Sequence, residues 1–297
     1  MRTGQSKYCF RYVVGRITVY SLLFLFAVCF LVPVYVLLAT GLKSFKDVNI
    51  ERMWVLPDEI TMAAFGKAFS KLSPNFINSI ILTIPATVAS CIAGSLNGYI
   101  FSKWRFKGAD IIFVFILFGM FIPYQSILIP LVQFLNRIGL YGSLSGLIVT
   151  HIVYGLPITT LIFRNYYMEV PDELLESAQI DGLGMFNIYF KIVAQISAPA
   201  FVVAIIWQFT NIWNEFLFAV IITQKPSIQP ITVALQNLAG SQIVEWNVQM
   251  AGALLAAMPT LLVYILLGRF FIRGLMAGSV KDEKFIVPKS TADNSKS

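Results

Sequence analysis

Charge is what this chain has least of. Only 12% of its 297 residues are Asp, Glu, Lys or Arg, about half of the roughly 25% usual in soluble domains. Histidine is nearly absent, with His151 the single example. The three cysteines, Cys9, Cys29 and Cys91, offer no CxxC pair and no disulfide framework; Cys29 and Cys91 lie in apolar runs and read as inert thiols. No GxxxxGK[ST] phosphate loop, no HExxH and no GxSxG occurs. These gaps argue against an ATPase, a zinc hydrolase and a serine hydrolase. No catalytic residue and no metal site is expected.

What fills the chain instead is apolar. It is 57% hydrophobic with a mean hydropathy of +0.75, so lipid is the expected solvent for most of its surface. A crossing helix needs ~20 mostly apolar residues. Charge-free stretches of that length predict helices near 17–40, 77–100, 111–134, 144–163, 198–222 and 249–271. The fold class is therefore all-α integral membrane with six transmembrane helices. The first run is too long for the h-region of a signal peptide, and further spans follow it. The net charge of +7 sits mainly between apolar runs, where it meets anionic lipid; no basic face interleaved with aromatics points to nucleic acid.

Orientation follows from the basic residues. With the N-terminus inside, the outer segments carry Lys43, Lys46, Arg52, Lys67, Lys71, Arg137 and Lys225, and the other fifteen of the 22 Lys and Arg fall inside. That bias places both termini in the cytoplasm. The chain divides into an N-terminal segment 1–16, a membrane domain 17–274 and a tail 275–297, polar and loose from Ser290 onward. Two connections are long: an outer one near 41–76 and an inner one at 164–197. Long loops in compact proteins are usually functional.

The inner connection reads Pro171-Asp172-Glu173-Leu174-Leu175-Glu176-Ser177-Ala178-Gln179-Ile180-Asp181-Gly182. Pro171 suits a first helical turn, and Asp172 and Glu173 favour the positive end of the helix dipole. Leu174, Leu175 and Ala178 form a small apolar face, and Gly182 suits the C-cap. A second amphipathic stretch follows with Met185, Phe186, Ile188, Tyr189 and Ile192. The expected product is a short cytoplasmic helix–turn–helix elbow.

The spacing of Glu176, Ser177, Ala178, Asp181, Gly182, Ile192 and Pro199 resembles the EAA motif of permeases of ATP-binding-cassette importers. Ser177 stands for the middle Ala, and Ala194-Gln195 for the motif's Leu-Pro. Gly98-Tyr99 with Ser102-Lys103-Trp104-Arg105-Phe106-Lys107-Gly108 is similar to the basic turn after the second helix of sugar permeases. Trp213-Asn214-Glu215-Phe216 resembles their Trp-Asn-acid-Phe segment, and Arg269 to Lys281 their C-terminal exit. The likeness runs along most of the chain and is greatest to maltose-type carbohydrate permeases, with Ile231 to Val280 nearest glucose/mannose-type members. It implies a type I importer permease bundle in a prokaryotic inner membrane. The implied partners are a second homologous permease, two ATP-binding-cassette ATPase subunits that bind and hydrolyse the ATP, and an extracytoplasmic sugar-binding protein. This chain itself would need no cofactor. In the family the elbow docks on the ATPase, which assigns coupling to Glu176, Ser177, Ala178, Asp181, Gly182 and Ile192.

Polar residues at bilayer depth are costly and mark sites or packing. Glu215 lies inside an apolar run beside Asn211, Trp213 and Asn214. Either this group lines a substrate pathway, or Glu215 serves packing or an interface; the sequence leaves both open. His151 reads as a histidine bonded within the bundle, since no carboxylate is near it in sequence, and Asn97 as interhelical glue. Pro33, Pro123, Pro130, Pro157 and Pro259 predict kinks. The polar outer segment 223–247 either faces the binding protein or is a solvated loop. The alternative reading, a secondary transporter, would want repeats and midplane charges that are scarce here.

Overall fold

The computed structural model describes residues 3–104, 106–240 and 244–279. Arg2, Arg105, Gln242, Lys281, Lys284, Lys289, Lys296 and the tail from Ser290 lie outside the described residues, within which no β-strand occurs. Twelve helices follow in order: α1 (Thr3–Gly41), α2 (Ala63–Lys103), α3 (Ala109–Phe118), α4 (Tyr124–Arg137), α5 (Leu144–Met168), α6 (Asp172–Ile180), α7 (Met185–Ile188), α8 (Ala194–Ile196), α9 (Ala198–Asn214), α10 (Leu217–Ile222), α11 (Ile231–Ala239) and α12 (Trp246–Ser279). Tyr12–Gly41, α2, α5 and Trp246–Phe270 are each long and apolar enough to cross a membrane. Two bent pairs bring the possible crossings to six.

The differences from the sequence-based spans have local causes. The run expected as one helix over 111–134 is two, Ala109–Phe121 and Tyr124–Arg137, bent by 101°. Ile122 precedes Pro123 and is forced extended, with ψ 116°, because a following proline clashes with helical backbone. The other prolines do not break their helices: Pro33, Pro130, Pro157 and Pro259 all lie within continuous helices. The helix expected over 198–222 stops at Asn214 and restarts at Leu217, with Glu215 extended at ψ 132°. It is also bent by 78° from Met185–Ile196. Helix α1 begins at Thr3, within the segment 1–16, and position 274 lies inside α12. At 41 residues, α2 is ~60 Å long, twice a hydrocarbon core. Its first turns occupy part of what the sequence presents as a loop over 41–76.

The chain forms two compact units. In the unit made of Met1–Phe76 and Val233–Met258, Ala64 and Ala68 pack on Val248 and Ala251, flanked by Phe65 and Leu255. Lys67 Nζ lies 2.5 Å from Glu245 Oε1, and buried Lys43 donates to the Arg52 carbonyl at 2.6 Å. Along α1, Phe24 and Phe30 are among many fully exposed apolar side chains.

The unit of Ile77–Thr232 and Pro259–Ser297 carries the larger core. Cys91, Tyr99, Phe163, Tyr167, Leu175, Ala178, Ile188, Tyr189, Val193, Ala200 and Ala204 form one buried cluster. α2 and α5 touch through small residues. A Cβ on Gly94 would collide with Thr159, and one on Gly98 with Phe163 and the backbone of Arg164. Such GxxxG spacing lets two backbones meet where lipid supplies no hydrophobic drive between helices.

Candidate functional site

Two places in the larger unit gather polar chemistry. The first is a cavity of about 620 Å³ between α5 and the broken α9–α10 segment. Trp207, Gln208, Asn211, Asn214 and Glu215 line it from one side, and His151, Tyr154 and Gly155 from α5. Met120, Tyr124 and Gln125 contribute from the α3–α4 corner. A Cβ on Gly155 would meet the end of the Gln208 side chain, which would have to shift.

The break after Asn214 creates the site. Glu215 leaves the helix, so it does not share a helical face with Asn211 as four-residue spacing implies. Its carboxylate turns onto the restarting helix, accepting the Phe218 N–H through Oε1 at 2.8 Å and the Ala219 N–H through Oε2 at 3.1 Å. Thr232 holds its carbonyl at 2.9 Å. Asn211 and Asn214 each donate to the carbonyl four residues back, at 2.8 and 2.9 Å. Trp213 is placed elsewhere: it is buried and stacked on Phe209, 5.7 Å away with an interplanar angle of 7°. Trp207, half exposed, takes its place on the wall.

His151, which the sequence presents as a histidine bonded within the bundle, lines the cavity. Its Nε2 lies 3.8 Å from Glu215 Oε2, and this buried nitrogen has no hydrogen-bond partner. The expected hydrogen bond within the bundle is thus not formed at that atom. No short-range signal joins the two residues, because they meet only when α5 packs along α9.

The second place is the elbow. Pro171 is the N-cap of α6 rather than its first residue, and Asp181 is the C-cap. Gly182 adopts φ +80°. Its N–H donates to the Gln179 carbonyl at 2.9 Å, and Leu183 N–H to Ala178 at 3.0 Å. That is the paired pattern of a Schellman motif, which needs a left-handed residue here. Ala178 faces the core and Ile192 packs against it, while Glu176, Ser177, Asp181 and Gly182 face outward. Ile180, Phe186 and Phe190 present a bare apolar surface.

The elbow is anchored by polar contacts the motif does not name. Lys103 Nζ at the end of α2 donates to the Val170 carbonyl and to Asp172 Oδ1, both at 2.6 Å. Ser95 Oγ on α2 hydrogen-bonds the hydroxyls of Tyr167 at 2.6 Å and Tyr189 at 2.8 Å. Tyr189 opens a π-helical turn, Tyr189–Val193, of a kind often found at functional positions. Tyr166 donates to the Ile196 carbonyl at 2.7 Å. Among the described residues, no group of three or more His, Cys, Asp or Glu gathers as metal ligands would.

Three comparisons bear on these features. Residues 86–276 match the family model described as binding-protein-dependent transport system inner membrane component. The chain is 34% identical over 88% of its length to the xylose/arabinose import permease protein of Haloferax volcanii, covering 92% of that protein. It is 31% identical over 87% of its length to the glucose import system permease protein of Saccharolobus solfataricus, covering 92% of it. A probable ABC transporter permease protein of Pyrococcus horikoshii is 55% identical, over 56% of this chain and 60% of that protein. In fold, the chain is similar to a subunit in the crystal structure of a bacterial ABC transporter involved in alginate import. The TM-score is 0.76 at 22% identity, covering 87% of this chain and 96% of that one.

Proposed function

This chain belongs to the family of binding-protein-dependent transport system inner membrane components, and we propose that it forms half of the translocation pathway of an ATP-driven sugar importer. In this reading a second, related permease completes the pathway. Two ATP-binding-cassette subunits sit at the elbow face and hydrolyse the ATP, and an extracytoplasmic binding protein delivers the sugar at the opposite face. Both termini and the elbow are cytoplasmic. The chain has no catalytic role of its own.

One observation carries this reading. The elbow is fixed on its inner side by the core and by Lys103, while Ile180, Phe186 and Phe190 remain largely exposed on it. Exposed apolar side chains on a rigid protrusion suit docking to another protein. Glu176 and Asp181 flank that surface and suit basic residues of an ATPase cleft. Push on the elbow would pass through Ser95, Tyr167 and Tyr189 to α2 and α5, and alternating access would follow from their movement.

The test is purification of the tagged chain in mild detergent, followed by reconstitution into proteoliposomes. An ATPase and a second permease are expected to travel with it, and labelled glucose, xylose or maltose to enter only with ATP and the binding protein. Uptake driven by an ion gradient, with no ATPase bound, would replace this reading with secondary transport.

A further inference from the structure

The cavity holds an arrangement that translocation in general does not require. His151 Nε2 is buried without a partner, its side chain only 6% exposed, and it lines the cavity. Glu215 Oε2 lies 3.8 Å from it, too far for a direct hydrogen bond. Two backbone N–H groups hold that carboxylate in place, and His151 packs edge-on against Phe218 with ring centroids 5.9 Å apart. Neither group can swing toward the other without giving up its own contacts. A buried polar nitrogen left unpaired is costly, and a group entering from the cavity that both residues line can reach the two side chains at once.

We propose that His151 and Glu215 together read one hydroxyl of the transported sugar, which makes this subunit a determinant of substrate specificity. The inference rests on the importer reading above. A hydroxyl both donates and accepts. An oxygen seated beside the pair, on its cavity side at the apex of a triangle whose base is the 3.8 Å separation, accepts from the imidazole N–H and donates to Glu215 Oε2, each at ~2.8 Å. The surrounding wall fits a pyranose or furanose. Trp207, Tyr124 and Tyr154 supply flat apolar faces, and Asn211 and Asn214 supply amides. The ligand class is an uncharged saccharide. The lining residues include one carboxylate and neither Lys nor Arg, so a uronate would bring its own negative charge to Glu215 unopposed.

The experiment uses the complete complex with its binding protein in proteoliposomes. Wild type, His151→Phe and Glu215→Gln are compared for uptake of labelled glucose, xylose and maltose, and of the monodeoxy derivatives of whichever sugar enters. His151→Phe keeps the ring and removes its nitrogens. Wild type is expected to import one monodeoxy derivative roughly tenfold more poorly than its parent, and both variants to abolish that difference. Selectivity set by the binding protein is common to all three, so only the change in ratio is read. A merely structural role lowers parent and derivative together and leaves the ratio intact. An unchanged ratio therefore overturns the proposal, with water or packing as the role of the pair. A wild-type complex importing none of the sugars overturns the importer reading and this inference with it. Where His151→Phe fails to assemble, Glu215→Gln decides, since it retains an oxygen for the Phe218 N–H.

Discussion

Gly182 is the residue whose substitution separates folding from coupling. At φ +80° an added Cβ would meet no atom within 4 Å, so the cost of a side chain is conformational alone. For an L residue that is about 1–2 kcal/mol, and more for a β-branched one. Gly182→Val is expected to insert at normal abundance yet lose at least tenfold in uptake, whereas Gly182→Asn, which tolerates the left-handed region, retains most of it. Immunoblotting of membranes beside transport assays checks this; full uptake by the valine variant would remove the elbow from the mechanism. Gly182 was legible in the sequence because a helix end is a local matter. His151 was not. Its meaning depends on a carboxylate brought from α9, and the sequence shows only that His151 has no acidic neighbour. Trp213 was legible as an aromatic but not as to direction: it stays within α9 and turns to Phe209, while Glu215, past the helix end at Asn214, faces the cavity.

In the proposed mechanism, movement of the elbow reaches the membrane through the contact between α2 and α5. Gly94 and Gly98 leave no room for a side chain, so Gly98→Leu forces these helices apart and is expected to cost roughly 1–3 kcal/mol by overpacking. A fall in the detergent-solution melting temperature is the measurement, and an unaltered one would mean the helices adjust freely. The hydroxyl triad next to them tests transmission instead. Tyr189→Phe removes one arm and leaves Ser95 bonded to Tyr167. With the triad as the proposed link, this variant should keep ATP hydrolysis while importing severalfold less sugar per ATP. Equal losses of both activities would reduce the triad to a packing feature. Element positions came readily from charge-free runs, and the α3–α4 break has a visible cause in Pro123. The break at Glu215 has no proline or glycine beside it; the cap made by its carboxylate and the bond from Thr232 hold it. The π-helical turn that Tyr189 opens, with its hydroxyl against Ser95, likewise has no sequence sign.

For the molecule in its membrane, orientation is the testable quantity. In a background lacking Cys9, Cys29 and Cys91, a cysteine at Lys225 is expected to react with a membrane-impermeant maleimide in intact cells, and one at Glu176 only after lysis. The reverse pattern would invert the topology and place the elbow where no ATPase could reach it. The exposed apolar length of α1 is consistent with lipid as its solvent. Composition and hydrophobic run length by themselves determined that this chain is helical and membrane-embedded, because the cost of burying charge and bare backbone in lipid acts residue by residue. The elbow motif and its glycine were also written locally, in spacing along one short helix. Only the tertiary structure decided which side chains share the cavity, where α9 breaks, and that His151 faces Glu215. Those depend on which turns of separate helices come within a few ångströms of one another, and no periodicity along a single helix encodes that distance.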